Sequence, residues 1–306
     1  MINFVQTGGF NWVFTEISSQ LMKHLPGESI TTPMPMYGAD TFVCLCPEYA
    51  ESLLPEQRPH AWSMLHHFEE NDKSRTPAAR AKILEGLRGV VVFSNDILRQ
   101  AKAAGIDAIT MPHGIDMERF TIAPALRMAT DKITVGVCGR NHESGRKGPA
   151  RIMAIAAAMG GGAPAEFVFC GHGWAPLIEA INSETGCTAS EWLGSGQYST
   201  YAKFYNTLDA LLVASDIEGG PYPPLEALAC GVGVVSTPVG HMPDLVAPGT
   251  RNVTLYEFGD VQGAAAAIAA LYQMPPDKQL LRASVADRSW EAVARKWAAL
   301  LRGRNE

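Results

Sequence analysis

The sequence predicts an α/β protein built on parallel sheets, and three observations carry that expectation. Short apolar runs alternate with helical patterns through most of the chain, as in βα units that cover a parallel sheet. The alternation restarts at Lys132 after an open linker, so two modest units are expected. A strand-to-helix junction from Asp209 to Gly233 carries Glu218 and Glu226, with seven residues between them across a glycine- and proline-rich loop. In an open α/β sheet such a junction opens onto the crevice where ligands bind.

Composition narrows the class. A chain of 306 residues that is 47% hydrophobic can fill substantial cores. The net charge of -6 disfavours a surface coated in nucleic acid, although a local basic groove is compatible with it. No apolar run is long enough to span a bilayer, and no leader pattern opens the sequence. The cysteines at 44, 46, 138, 170, 187 and 230 fit neither zinc spacing nor a dense disulfide framework. A reduced, cytoplasmic setting is expected, with no metal site.

In the first half, Ile2 to Gln6 reads as a strand, Thr7-Gly8-Gly9 as a turn and Asn11 to Leu25 as an amphipathic helix. The turn's N–H groups could face a phosphate or a sugar. The segment PGESITTPMPM is expected to be a loop. Strands follow at Thr41–Cys46 and at 61–67, the latter ending in His66-His67. Those histidines are placed for a crevice, and alternation along a strand leaves open which points inward. Lys73, Arg75, Arg80, Lys82 and Arg88 form a basic stretch, either a solvated helix face or a lip beside the crevice. Thr76-Pro77 is a cap and first helical residue. A strand at Gly89–Phe93, a helix at Ile97–Ala104 and a strand at Ile106–Met111 precede the turn Pro112–Asp116.

In the second half, the strand 132–138 runs into a loop holding Arg140, Arg146 and Lys147, then a helix from Pro149. Cations crowded at a helix entry suit a diphosphate, and neither a Walker motif nor a GxGxxG fingerprint is present. The strand 166–170 leads into Gly171-His172-Gly173. Glu191-Trp192-Leu193-Gly194 could present backbone groups to a base. The glycines Gly219 and Gly220 let backbone N–H groups approach a polar ligand. The helix after that loop is expected to start at Leu225, and the segment 238–245 is expected to be a loop. Ser289-Trp290 opens a last amphipathic helix to Leu301.

Taken together, TGG near the start, PHGID at 112–116, GR…KG at 139–148, FVFCGHG at 167–173 and EWLG at 191–194 form an ordered set. With E-x7-E at 218–226, EALACGVGVVSTPVG and the terminal SWE helix, the chain resembles the retaining GT-B glycosyltransferases of group 4. The second half is covered nearly end to end, whereas the first half is shorter than is usual in that family.

The resemblance implies two Rossmann-like lobes facing each other across a cleft. Residues 1–125 would form the acceptor side and 126–285 the nucleotide-sugar side, and 286–306 would be a helix packing back across the lobes. It places Gly8 and Gly9 at the donor diphosphate, and Arg140 and Lys147 as the pair that neutralises that group as it departs. Glu226 resembles the residue that binds ribose hydroxyls, and Glu218 with Gly219 and Gly220 the group that holds the donor sugar. Gly171, Trp192 and Leu193 would complete the nucleotide site. One of His66 and His67, with His67 preferred, matches the histidine near the transferred sugar. The chain departs from the family pattern at His113 before Gly114, and at His241-Met242.

The implied activity is metal-independent transfer of a hexosyl group, with retention, from a UDP-sugar (favoured over a GDP-sugar) to an acceptor hydroxyl. The nucleotide sugar is a substrate and no tightly bound cofactor is expected. A glycan or lipid-linked sugar is the expected acceptor. A hydroxymethylated base in DNA is an alternative, as are a nucleotide-sugar epimerase and a pure nucleotide-sugar binding protein. The protein is expected to be a monomer or homodimer, with membrane contact at most peripheral.

Overall fold

The computed structural model describes residues 1–6, 12–69, 72–124, 132–162 and 165–303. They divide into two compact units, Met1–Gly114 with Asp287–Glu306, and Ile115–Ala286. Each unit is built on one six-stranded sheet whose assigned pairings are all parallel.

Unit 1 contains β1 (Ile2–Val5), α1 (Trp12–His24), β2 (Ser29–Thr32), β3 (Thr41–Cys44), β4 (Ala61–Leu65), α2 (Pro77–Leu84), β5 (Gly89–Val92), α3 (Asn95–Ala103) and β6 (Ala108–Thr110). The sheet order is β2-β1-β3-β4-β5-β6. β4 and β5 are buried at every position, as expected of strands covered on both faces. Local chemistry fixes the helix starts. Thr76 accepts from the Ala79 N–H at 3.3 Å with Pro77 behind it, and Ser94 accepts from Ile97 N–H at 3.2 Å.

The segment PGESITTPMPM corrects the sequence reading, because Ser29–Thr32 within it is an edge strand. It is short, polar and only partly buried, so it lacks the apolar alternation that marks a strand. Its pairing is set from outside. Buried Asn3 donates to Thr32 Oγ1 at 2.7 Å and accepts from the Met36 N–H at 2.8 Å, tying the C-terminal half of the segment to β1.

Unit 2 contains β7 (Ile133–Cys138), α4 (Pro149–Gly160), β8 (Ala165–Cys170), α5 (Ala175–Glu184), β9 (Thr188–Glu191), α6 (Tyr201–Tyr205), β10 (Ala210–Val213), α7 (Tyr222–Ala229), β11 (Gly233–Ser236), α8 (Met242–Leu245), β12 (Val253–Leu255), α9 (Val261–Gln273) and α10 (Lys278–Ala283). Its order, β12-β11-β10-β7-β8-β9, is that of a doubly wound nucleotide-binding sheet. Connections run outward in both directions from the β7–β10 pair, so a crevice opens beyond the C-terminal ends of those two strands.

Helix α7 begins at Tyr222, three residues before the expected Leu225. Pro223 and Pro224 occupy its first turn, where their missing N–H groups cost nothing. Met242–Leu245, expected within a loop, is a helical turn with Pro243 inside its start. β9 ends at Glu191, so Trp192 to Gly194 is turn alone.

The last helix, α11 (Trp290–Leu301), belongs to unit 1 and contacts α1. Ser289 caps it through the Ala292 N–H at 3.2 Å. Trp290, Val293, Ala294, Trp297, Leu300 and Leu301 are its buried stripe. Gly114 is required beside it, since a Cβ there would lie 2.2 Å from the Trp290 ring.

Candidate functional site

The loop from Gly139 to Gly148 follows β7 and is bound to its neighbours through backbone groups. Gly139 N–H donates to Cys170 O at 2.8 Å, and Asn141 N–H to His172 O at 2.9 Å. The Trp174 indole donates to Gly139 O at 2.7 Å. Gly171 has φ +129, and a Cβ on it would meet Gly139 O at 2.2 Å. Only glycine lets the post-β7 and post-β8 loops lie this close.

The far end of the loop is tied to the segment after β10. Gly148 caps α4 with φ +68, and a Cβ there would lie 1.9 Å from Ala214 O. Arg151 donates to Ala214 O and, at 2.7 Å, to Asp216 Oδ1. Asp216 N–H donates to Arg146 O at 2.8 Å. Replacing Gly148 with alanine is therefore expected to cost more than about 2 kcal/mol, from strain and clash together. Thermal unfolding checks this, and an unchanged midpoint would contradict it.

This frame brings Lys147 to Glu218. Lys147 Nζ donates to Glu218 Oε1 at 2.5 Å, and Ser215 Oγ donates to the same oxygen at 2.9 Å. The side chains are 15% and 10% exposed, so this pair is largely shielded from solvent screening. Burial pushes the Glu218 carboxyl up, but the Lys147 and Arg146 charges outweigh it and hold the group below its usual range. Glu218 is thus a carboxylate at neutral pH. Arg146 donates to His142 Nε2 at 3.2 Å. Burial and the nearby Arg146, Lys147 and Arg140 charges depress the His142 pKa, which leaves that ring neutral. Arg140 is exposed and has no ion-pair partner among the described residues. Cys138, Lys147, Trp174, Ser215, Glu218 and Pro221 are among the residues lining one pocket here.

The two glutamates do different things. Glu226 is 1% exposed. Tyr198 OH donates to its Oε1 at 2.7 Å, and Tyr205 OH to its Oε2 at 2.5 Å. The Arg119 guanidinium lies 4.8 Å from the Tyr198 ring centroid, a cation–π contact. The tyrosine cage was not legible from the sequence, because Tyr198 and Tyr205 are 28 and 21 residues from Glu226. Gly219 is buried, and Gly240 approaches its carbonyl so closely that a Cβ would lie 2.8 Å away. Gly220 is half-buried. Trp192 donates to Thr200 Oγ1 at 3.3 Å, while Leu193 projects fully into solvent.

In unit 1, Gly8 and Gly9 lie outside the described residues. His66 Nε2 donates to Leu45 O at 3.0 Å. Its ring sits in a column with Phe14, Phe93 and His113, at centroid distances of 5.2, 5.2 and 6.2 Å. His67 turns elsewhere and meets Glu69 Oε1 at 2.7 Å, an oxygen shared with Arg75 at 2.9 Å. Burial depresses the His66 pKa to about 4. A lowered folded-state value means stability is complete above the ordinary histidine pKa and is lost as pH falls toward 4. Urea midpoints of wild type and His66→Gln are expected to converge over that window. A constant gap between the two would contradict a neutral buried His66.

Two of the five cations in the basic stretch after residue 72, Arg75 and Arg80, pair with carboxylates within unit 1. Arg80, 4% exposed, reaches Glu48 at 2.8 Å, and Arg75 reaches Glu69 at 2.9 Å and Asp72 at 3.4 Å. Among the described residues no cluster of histidine, cysteine and acidic side chains could hold a metal ion. No described helix is long and apolar enough to cross a membrane.

Comparison with known proteins agrees with this fold. Residues 132–274 match the family model described as Glycosyl transferases group 1. No curated protein matches by sequence. Among solved structures, sucrose-phosphate synthase from Thermosynechococcus elongatus is similar at 17% identity and TM-score 0.77, over 98% of each chain. HepE of Anabaena, in complex with UDP and glucose, is similar at 16% identity and TM-score 0.77, over 99% of each chain. The lipopolysaccharide outer core galactosyltransferase WaaB is similar at 14% identity and TM-score 0.74, over 99% of each chain. At such identities the likeness shows the fold. Residues 132–274 thus resemble the glycosyl transferases group 1, within a chain that has the GT-B fold.

Proposed function

We propose that the protein moves a hexosyl group from a nucleotide-diphosphate sugar, a UDP-sugar in preference to a GDP-sugar, to an acceptor hydroxyl. Unit 2 takes the donor and unit 1 the acceptor, and the product keeps the donor's anomeric configuration. The observation that carries this reading is the shielded Lys147–Glu218 pair beside the exposed Arg140, at the switch point of a doubly wound sheet. The family match over 132–274 and the UDP-bound HepE neighbour support a nucleotide-sugar donor.

Breaking a sugar–phosphate bond places negative charge on the departing diphosphate. Fixed cations stabilise that charge without rearranging at the moment of reaction. Lys147 is held in place by Glu218, and Arg140 has a fork of donors matched to phosphate. These two side chains supply the charge that a divalent ion supplies in other transferases. Glu218, kept ionised by Lys147, accepts hydrogen bonds from donor-sugar hydroxyls. Glu226 takes the ribose, a ribose hydroxyl replacing the Tyr198 hydroxyl at Oε1. His67 with Glu69 provides a polar contact on the acceptor side, while His66 serves packing. We favour a glycan or lipid-linked sugar acceptor over a DNA base, because Arg75 and Arg80 are already engaged by carboxylates.

The test is a panel of UDP-glucose, UDP-galactose, UDP-N-acetylglucosamine and GDP-mannose, each with an acceptor panel that includes hydroxymethylated DNA. Release of UDP from one or more UDP-sugars, undiminished by EDTA, is expected. Interconversion of donor sugars without UDP release would identify an epimerase instead, and binding without turnover a carrier.

A further inference from the structure

Two cysteines meet at the floor of the unit 2 site, and sugar transfer uses neither. Cys138 ends β7, Cys170 ends β8, and the two are register partners in the parallel sheet. Both pack on one face, in the core that also holds Tyr201, Phe204 and Tyr205. As register partners at adjacent strand ends, they carry their side chains side by side on that face. Adjacent strands lie about 4.8 Å apart, within the roughly 4.4–6.8 Å that a disulfide spans between Cα atoms. The pair can therefore be bridged without remaking the sheet. Closing the bridge would still draw the Cβ atoms to about 3.8 Å, so the strand ends must shift toward each other.

Such a shift would reach the site. Cys138 lines the same pocket as Lys147 and Glu218. The Tyr205 hydroxyl lies 3.4 Å from Cys138 Sγ and 2.5 Å from Glu226 Oε2. Gly139, directly after Cys138, donates to Cys170 O at 2.8 Å and accepts from the Trp174 indole. The chemistry of the pair is also asymmetric. The neighbouring Cys138 thiol holds Cys170 below the usual thiol range, and the same contact pushes Cys138 up.

We propose that Cys138 and Cys170 form a reversible dithiol–disulfide site whose oxidation weakens nucleotide binding in unit 2. The oxidant is a peroxide, small enough to pass the half-buried Cys138 and reach Cys170, which is itself fully buried behind it. The Cys170 thiolate attacks hydrogen peroxide, an S–O bond forms, the O–O bond breaks, and hydroxide leaves as water. Cys138 then gives up its proton and attacks the Cys170 sulfur. The S–S bond forms, the S–O bond breaks, and a second water leaves. Two thiols are oxidised and one peroxide is reduced to two waters. The thiol chemistry stands by itself, whereas its effect on nucleotide binding rests on the donor reading.

The experiment treats the full chain with hydrogen peroxide, maps its peptides by mass, and measures UDP affinity before and after dithiothreitol. A peptide joining Cys138 to Cys170, lighter by two hydrogens, is expected. UDP binding should weaken about tenfold or more, the order of one lost hydrogen bond to a charged group, and recover on reduction. Under the same treatment Cys170→Ala should keep its affinity, and Cys170→Ser replaces that variant if it does not fold. Absence of the cross-link, or a cross-link with unchanged affinity, would overturn the proposal, as would equal loss in the cysteine variant. If the reduced protein binds no UDP at all, the donor reading falls while the peptide map still decides the disulfide.

Discussion

Replacing Lys147 with alanine is expected to lower kcat/KM for sugar transfer by about 10²–10³, the usual consequence of removing one preorganised contact to a developing anion. The same change leaves Glu218, 10% exposed, without its nearest counter-charge, so up to about 3 kcal/mol of stability should go with it. The two losses can be separated. In Lys147→Met with Glu218→Gln both charges are gone, so most of the stability should return while transfer stays low. Urea unfolding and a UDP-release assay on the three proteins give the answer. Transfer by Lys147→Ala within threefold of wild type would remove Lys147 from the chemistry. The pH dependence has a defined sign. Glu218 sits below the usual carboxylate range, so its contribution is present above the ordinary glutamate pKa and is lost as pH falls through the depressed value.

Glu226→Gln is expected to weaken UDP binding by about tenfold or more, because a charged acceptor for ribose hydroxyls becomes a neutral one. Stability should change less than in Glu226→Ala. There the hydroxyl of fully buried Tyr205 loses its carboxylate partner, at about 1–3 kcal/mol. Calorimetric titration with UDP distinguishes the two roles of this carboxylate. Full affinity in Glu226→Gln, together with the unfolding loss in Glu226→Ala, would make the tyrosine cage a purely structural feature.

Much of this architecture was legible in the sequence. Strands such as Val90–Val92 and Leu211–Val213 are continuous apolar runs, and the turns between them carry glycine or proline where the backbone requires it. Thr76 and Ser289 announced their helices by the side chain that caps each one, whereas α3 starts at Asn95 under a Ser94 cap, two residues before the expected Ile97. The edge strand Ser29–Thr32 was not legible, since its stability comes from Asn3 and the β1 backbone and its own residues are polar. Of the candidate site, Lys147 and Glu218 were readable from loop position and are brought together as a pair. The partners of Glu226 were not readable, because a buried carboxylate is satisfied by whichever hydroxyls the fold delivers. The His66-His67 pair shows the same limit. Adjacent residues diverge, one into an aromatic column and the other to Glu69, and that choice is made by Phe14, Phe93 and Arg75 from elsewhere in unit 1.

A crystal structure of the protein with UDP bound bears most directly on the assignment of charge to the leaving group. The expected result has the diphosphate oxygens at the C-terminal ends of β7 and β10, within hydrogen-bond reach of both Lys147 and Arg140. A nucleotide bound in unit 2 with its diphosphate distant from both side chains would contradict it.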